Sequence, residues 1–388
     1  MVHTSVENIR NILLCGHGSA GKTTLIDRLL TLTGAVSTNP SVDDGTSICD
    51  FDAEEKHHKY SIAEAQVHHD HGRKQFHVID TPGYPDFIGQ VLGSLHAVET
   101  ALVVVNAHSG IEVNTRRTFE EAGKAGVGRM IVINKMDTDN IDVPGLLAAI
   151  QEMWGPKCVP LNVPVGHGAD FSAVLSTLHP PDDTAGAVLD PKEINEALIE
   201  SIVEVDEAVM ERFLEGTPPT EEELTRLIVR AVAEGTLVPI VFCAAKTNTG
   251  LKELLDEVIR CAPSPADIPR SGELNGDTVA ISPKADAPLV ARVFRTRIDP
   301  FVQKLSFVRV YSGTLKKDDV VHASSARKGL KLTTPLEVQG EQTHAVDFAG
   351  PGEIVAIAKM EDLHTGTVLG DVVLPPLVFP KPMVGLAV

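Results

Sequence analysis

Apolar residues recur along this chain in two rhythms. Between residues 9 and 137 they gather in short runs, at residues 11–14, 76–79, 101–105 and 130–133, each closed by a polar or glycine-containing turn. Such runs are strand-length, and helical spacing lies between them, as in Leu25, Ile26, Leu29 and Leu30. Strands joined through helices predict an α/β domain: a mostly parallel sheet with helices on both faces. A further strand is expected at residues 238–242, after a gap of roughly a hundred residues, longer than a crossover requires. That gap predicts an inserted α+β subdomain at about 158–238. Within it, residues 161–178 look like strand and loop, and residues 191–216 form one amphipathic helix with Ile194, Leu198, Ile202, Val205, Val209 and Phe213 on a stripe. A second helix starts at a capping box, Thr220 with Glu223, and ends at Gly235. Residues 262–288 are rich in proline and small polar residues, as in a linker. Beyond them β-branched clusters at 289–294, 305–311, 319–321 and 352–358 alternate with glycine turns, predicting a small antiparallel β-barrel. The expected organisation is a first domain at 1–264, a linker at 265–288 and a barrel at 289–388.

Composition narrows the classes. No apolar run approaches the ~20 residues of a membrane span, so no membrane partner is expected. Five cysteines stand far apart without metal spacing, which fits a cytoplasmic, reducing setting. The formal net charge of −19 disfavours indiscriminate binding to DNA. His57-His58 and His68-His69-Asp70-His71 suggest a metal, but the second group precedes Gly72-Arg73-Lys74, a hairpin tip that sends alternate side chains to opposite faces. A solvated hairpin is the expectation there.

Three motifs change the picture further. Gly16-His17-Gly18-Ser19-Ala20-Gly21-Lys22-Thr23 follows a strand and opens a helix, the context of a phosphate-binding loop. Glycines bring backbone N–H groups to phosphate oxygens, Lys22 places a charge there, and the Thr23 hydroxyl can reach Mg²⁺. Asp80-Thr81-Pro82-Gly83 ends the next strand; Asp80 can hold Mg²⁺ and Gly83 can offer an N–H to a γ-phosphate. Asn134-Lys135-Met136-Asp137 ends another. A carboxylate at Asp137 accepts both guanine N1–H and the exocyclic amine, whereas adenine has no donor at N1. Lys135 can cover the base, and Asn134 can tie its loop to the phosphate loop. Cys243-Ala244-Ala245-Lys246 can supply a backbone N–H to the guanine carbonyl. The expected ligands are GTP or GDP with Mg²⁺.

Together with Asp80-Thr81-Pro82-Gly83-Tyr84-Pro85-Asp86-Phe87, the insert segment 205–216 and the run at 298–313, these motifs resemble the translational GTPases of the elongation factor G type, in the elongation factor G-like division. The resemblance covers nearly the whole chain. It implies a GTP-binding domain followed by the second-domain barrel, GTP hydrolysis, and the ribosome (rRNA and ribosomal proteins) as partner of a monomer. The phosphate loop from Gly16 through Thr23, with Thr24, Asn134, Lys135, Asp137, Ala244, Ala245 and Lys246, would hold the nucleotide. Thr23, Ser61 and Asp80 would hold Mg²⁺, with Ser61 in the place of a switch threonine. Lys22, Asp80, Gly83 and Tyr84 would serve hydrolysis.

Three departures from the family pattern touch hydrolysis more than binding. Tyr84 stands where a histidine usually positions the attacking water, and Gly18 and Ser19 replace isoleucine and aspartate. A phenol binds water but carries no positive charge, so slow hydrolysis is expected. The alternatives are a non-hydrolysing GTP-sensing module on the ribosome, or a ribosomal-protection or peptide-release GTPase. Relatives begin a third domain after Phe379-Pro380-Lys381-Pro382, so translocation is not expected from this chain alone.

Overall fold

The computed structural model describes residues 4–299 and 303–380. Residues 300–302 of the barrel signature, and residues 381–382 of the proline pair, lie outside the described residues. In chain order the elements are β1 (Ile9–Gly16), α1 (Lys22–Leu32), α2 (Ala53–His58), β2 (Ala65–His71), β3 (Lys74–Asp80), α3 (Ile88–Leu95), β4 (Thr100–Asn106), α4 (Val113–Lys124), β5 (Gly128–Asn134) and α5 (Val143–Trp154). Then come β6 (Cys158–Pro160), β7 (Asn162–Val165), β8 (Ala173–Ser176), α6 (Pro191–Val203), α7 (Glu207–Leu214), α8 (Glu221–Glu234), β9 (Val238–Phe242) and α9 (Leu251–Cys261). The remainder is β: β10 (Arg270–Leu274), β11 (Asp277–Ile281), β12 (Val290–Asp299), β13 (Gln303–Ser312) and shorter strands.

Two compact units emerge. One comprises Met1–Tyr84, Val98–Ile268 and Gln339–Gln342; the other Pro85–Ala97, Pro269–Val338 and Thr343–Val388. The first is built on a seven-stranded sheet of order β2-β3-β1-β4-β5-β9-β6, parallel except for β2. The parallel neighbours β3, β1, β4, β5 and β9 end side by side, with Leu14 opposite Asp80 and Asn106 opposite Asn134. Adjacent carboxyl ends are what gather the loops into one site.

The insertion differs from expectation in three ways. β6 is a strand of the main sheet, parallel to β9. The expected single helix at 191–216 breaks into α6 and α7, because Asp206 starts a new helix by accepting from the Val209 N–H at 3.3 Å. Finally, Leu198, Ile202, Leu224 and Leu227 join one continuous core with Leu14, Leu25 and Val132, so these helices cover the sheet rather than a core of their own. The capping box of Thr220 and Glu223 is present at α8.

The β2–β3 hairpin is less solvated than its histidines suggest. Its two-residue turn uses Gly72 and Arg73, both at positive φ, the geometry that matches strand twist. His69 is buried and stacks on Phe76 at 4.6 Å and 12°. Among the described residues no cluster of three or more His, Cys, Asp or Glu side chains is arranged to hold a metal. All five cysteines are buried and unpaired by disulfides. No described helix is long and apolar enough to cross a membrane.

The second unit is antiparallel. Its main sheet orders Gln342–Ala345, Pro335–Gln339, Ile354–Ala358, β13, β12 and Val368–Leu369. Val293, Val308, Val310 and Ile357 fill its core. Residues 265–288 hold a hairpin, β10–β11, where a linker was expected. Asn275-Gly276, both at positive φ, is the turn signal, flanked by period-two alternation. Helix α3 also belongs to this unit. Arg309 donates to the Ala97 carbonyl at 2.7 Å and the Tyr311 hydroxyl to the His96 carbonyl at 2.7 Å. Gly93 permits the approach, since a Cβ there would sit 2.9 Å from the Phe294 carbonyl.

Candidate nucleotide-binding site

β1 ends at Gly16, whose φ of +133° and closeness to the Val104 carbonyl exclude any side chain; a Cβ would lie 2.4 Å from that oxygen. The loop turns back through Gly21 at φ +91°, and α1 starts at Lys22. Lys22 is buried, and its ammonium donates to the carbonyls of His17 at 2.9 Å and Gly16 at 3.5 Å. Burial pulls its pKa down, against the opposing pull of Asp80. An ammonium desolvated in this way gains most from an anion placed beside it.

Asn134 joins three loops. Its Nδ2 donates to the Ala20 carbonyl at 3.0 Å, and its Oδ1 accepts from the Ala245 N–H at 3.0 Å. The phosphate loop, the 134–137 loop and the 243–246 loop are thus braced by one buried amide. The Ala244 N–H is bonded to the Thr249 carbonyl. Among the described residues no hydrogen bond from the Lys246 N–H is present, and Lys246 lines the pocket described below.

The switch side is held by side chains that the sequence does not single out. Asp27 on α1 accepts from the Ile48 N–H at 3.0 Å. Glu55 accepts from the N–H groups of Asp52, Ile62 and Ala63, and so fixes α2 to the segment carrying Ser61. Thr23 Oγ1 lies 3.0 Å from Ser61 Oγ and donates to Asp80 Oδ2 at 2.6 Å. Asp50 faces the same place. Among the described residues, Asp80 Oδ1 and both Asp50 carboxylate oxygens are buried with no partner in good hydrogen-bond geometry, although the Ser61 hydroxyl lies near enough to hold the Asp50 carboxyl down in part. Burial pushes the Asp80 carboxyl up to about 7, helped by Asp50, and Asp50 itself to about 6. Hydroxyls and buried carboxylates with free oxygens gathered in this way are an all-oxygen donor set, which suits a hard divalent cation such as Mg²⁺. Asp50 is invisible beforehand because a lone aspartate in a polar segment carries no sequence signal.

On the other side Thr81 Oγ1 donates to the Leu14 carbonyl at 2.6 Å, and Asn114 donates to the Gly83 carbonyl at 2.9 Å. His17 turns toward α4, with Glu112 at 3.5 Å. One pocket of about 640 Å³ is lined by Gly18, Ser19, Gly21, Lys22, Thr23, Thr24, Ser61, Gly83, Tyr84, Asn134, Lys135, Asp137, Ala245 and Lys246. Gly16, His17, Ala20, Asp80 and Ala244 are not among the residues that line it. Tyr60, Asp50, Arg28 and Lys59 also line it.

The fold and this pocket define a phosphate-loop nucleotide-binding protein of the parallel α/β kind, followed by an antiparallel β domain. Residues 7–264 match the family described as Elongation factor Tu GTP binding domain, and residues 288–372 match Elongation factor G domain 2. The chain belongs to this family of translational GTPases. It is 31% identical to Elongation factor G of Thermotoga neapolitana, over 100% of this chain and 59% of the relative. It is 32% identical to an Elongation factor G-like protein of Mycobacterium tuberculosis, over 98% of this chain and 58% of the relative. The crystal structure of ttk003000868 from Thermus thermophilus superposes with a TM-score of 0.84 at 28% identity, covering 97% of this chain and 56% of that one. The chain thus spans about three-fifths of the length of the curated relatives it matches.

Proposed function

We propose that this protein binds GTP and GDP with Mg²⁺ and works as a translation-factor switch on the ribosome in the cytoplasm, with slow hydrolysis. The observation that carries the reading is one pocket bringing Lys22, Thr23 and Ser61 together with Asn134, Lys135 and Asp137. Phosphate and base groups on separate loops, braced by Asn134, suit a single guanine nucleotide.

Lys22 would neutralise charge on the β and γ phosphates, and the Gly83 N–H would meet the γ-phosphate. Thr23, Ser61 and Asp80, with Asp50 close by, would hold Mg²⁺. When bound, the cation supplies Lewis-acid stabilisation of phosphate charge. The Tyr84 oxygen would hold a water by accepting its hydrogen bond but has no charge to lend to the transition state. Losing such a group costs on the order of 10²–10³ in rate. That absence favours, as second reading, a sensor that reports GTP without cleaving it.

The test is equilibrium binding of GTP, GDP and ATP, followed by single-turnover GTP hydrolysis with and without ribosomes. Guanine-selective binding with slow, ribosome-dependent turnover is expected, and Tyr84→His should raise that turnover. Preference for ATP would overturn the assignment. Tight GTP binding with no turnover under any condition would leave the sensor.

A further inference from the structure

Gly18 has no backbone reason to be glycine. Unlike Gly16 and Gly21 in the same loop, it is not among the residues at positive φ, so an L side chain could adopt its conformation. What lies next to the space a first side-chain carbon would take is Tyr84. A Cβ at position 18 would lie 3.4 Å from Tyr84 Cζ, 3.5 Å from Cε1 and 3.6 Å from Cε2. These three atoms are the hydroxyl end of the ring. The hydroxyl end of the phenol therefore lies against the phosphate loop at Gly18.

The ring is braced and its root is pinned. Tyr60, from the segment that carries Ser61, meets it edge-on, with centroids 4.7 Å apart at 60°. Gly83 presses on the loop, for a Cβ there would lie 2.5 Å from Lys22 Nζ and 2.6 Å from the Gly18 nitrogen. Asn114 holds the Gly83 carbonyl from the far side. The Lys22 ammonium, the Gly18 N–H and the Tyr84 hydroxyl thus border one small region of the pocket. Both tyrosines line that pocket, and no hydrogen bond from the Tyr84 hydroxyl to the protein is present among the described residues.

We propose that Tyr84 reads the terminal phosphate: its O–H donates a hydrogen bond to the γ-phosphate of the bound nucleoside triphosphate, from a position that Gly18 leaves open and Tyr60 braces. This deepens, and rests on, the reading of the pocket as a guanine-nucleotide site. A diphosphate has no acceptor there, so the contact separates the two nucleotide states. Gly18 and Tyr84 are then one matched unit and not two independent departures. Tyr60 links the reading to the segment that bears Ser61.

The test compares affinities for a non-hydrolysable GTP analogue and for GDP, both with Mg²⁺, in wild type, Tyr84→Phe, Gly18→Ala, Gly18→Val and Tyr60→Ala. Hydrogen bonds to charged acceptors are strong enough that Tyr84→Phe should weaken the analogue about 10-fold while GDP affinity stays within about 2-fold. Gly18→Ala, whose Cβ would meet the ring at 3.4 Å, should lower the analogue-to-GDP affinity ratio less than Gly18→Val does. Gly18→Val should mimic Tyr84→Phe, because the branched carbons enter the space of the ring. Tyr60→Ala should fall in between. An unchanged analogue-to-GDP ratio in Tyr84→Phe, or an equal loss for both nucleotides, overturns the proposal. Should Gly18→Val fail to fold, the analogue-to-GDP ratio of Tyr84→Phe still decides it. A wild type that binds neither nucleotide would instead sink the guanine-site reading itself.

Discussion

Replacing Asn134 with alanine should weaken the fold before it weakens binding. The side chain is 1% exposed and makes two short bonds between loops, donating to the Ala20 carbonyl and accepting from the Ala245 N–H, both at 3.0 Å, while its Oδ1 also accepts weakly from the Cys243 thiol at 3.8 Å. Alanine leaves that carbonyl and that N–H buried with nothing to replace the amide. Each buried group left unsatisfied costs about 1–3 kcal/mol. Partial relaxation and solvent entry lower the sum, so a loss of about 3 kcal/mol is expected. For a unit of this size that lowers Tm by roughly 6–12 °C. Asp137 is the control, since it lines the pocket without sharing this brace. Asp137→Ala should shift Tm by no more than about 2 °C while abolishing guanine preference. Differential scanning calorimetry of nucleotide-free protein, paired with GTP and GDP titrations, reads both effects. An Asn134→Ala protein melting within about 2 °C of wild type would refute the bracing role, whatever its affinity.

Two further outcomes follow from buried polar groups. Burial pulls His69 down to about 4, so the folded state prefers the neutral ring; its contribution is whole above about pH 6.5 and drains away as pH falls toward 4. The difference approaches roughly 3 kcal/mol, so Tm of wild type should drop more steeply over that window than Tm of His69→Phe, which keeps a ring against Phe76; parallel curves would count against it. Glu55→Ala removes the acceptor for the N–H groups of Ile62 and Ala63 and frees the segment bearing Ser61. Stopped-flow release of a fluorescent GDP should then be several-fold faster at millimolar Mg²⁺, approaching the Mg²⁺-free rate; an unchanged rate and Mg²⁺ dependence would remove Glu55 from the switch.

The parallel sheet is legible because each of its central strands is a short apolar run ending in a motif, and a strand end is where a parallel sheet puts chemistry. The phosphate loop, Asp80 and Asn134 need only that context. The supports are not legible. Asp27, Asp50 and Glu55 act through tertiary hydrogen bonds to residues 7 to 21 positions away or through shared burial, and no local spacing encodes these. The helix break at Asp206 is hidden by an apolar stripe that stays in phase across it, so periodicity outweighs a capping aspartate. The β10–β11 hairpin is hidden for the opposite reason: composition suggests a linker, although Asn275-Gly276 carries the turn. The pairing of Gly18 with Tyr84 joins residues 66 positions apart (84 − 18), and only the three-dimensional arrangement reveals it.

The strand order has a consequence for how the chain is made. β9 lies between β5 and β6 although it follows both in sequence. A nascent chain that has emitted Asn134 must therefore keep one edge of β5 unpaired until Val238 to Phe242 emerge, 104 residues later (238 − 134). At about 5–20 residues per second that wait is roughly 5–20 s. During it Met130, Ile131, Val132 and Ile133, all fully buried at the end, lack their final neighbour. Synthesis of this protein thus includes a timed interval of exposed sheet edge, during which a chaperone has most to protect and slow translation between residues 134 and 238 would do the most harm.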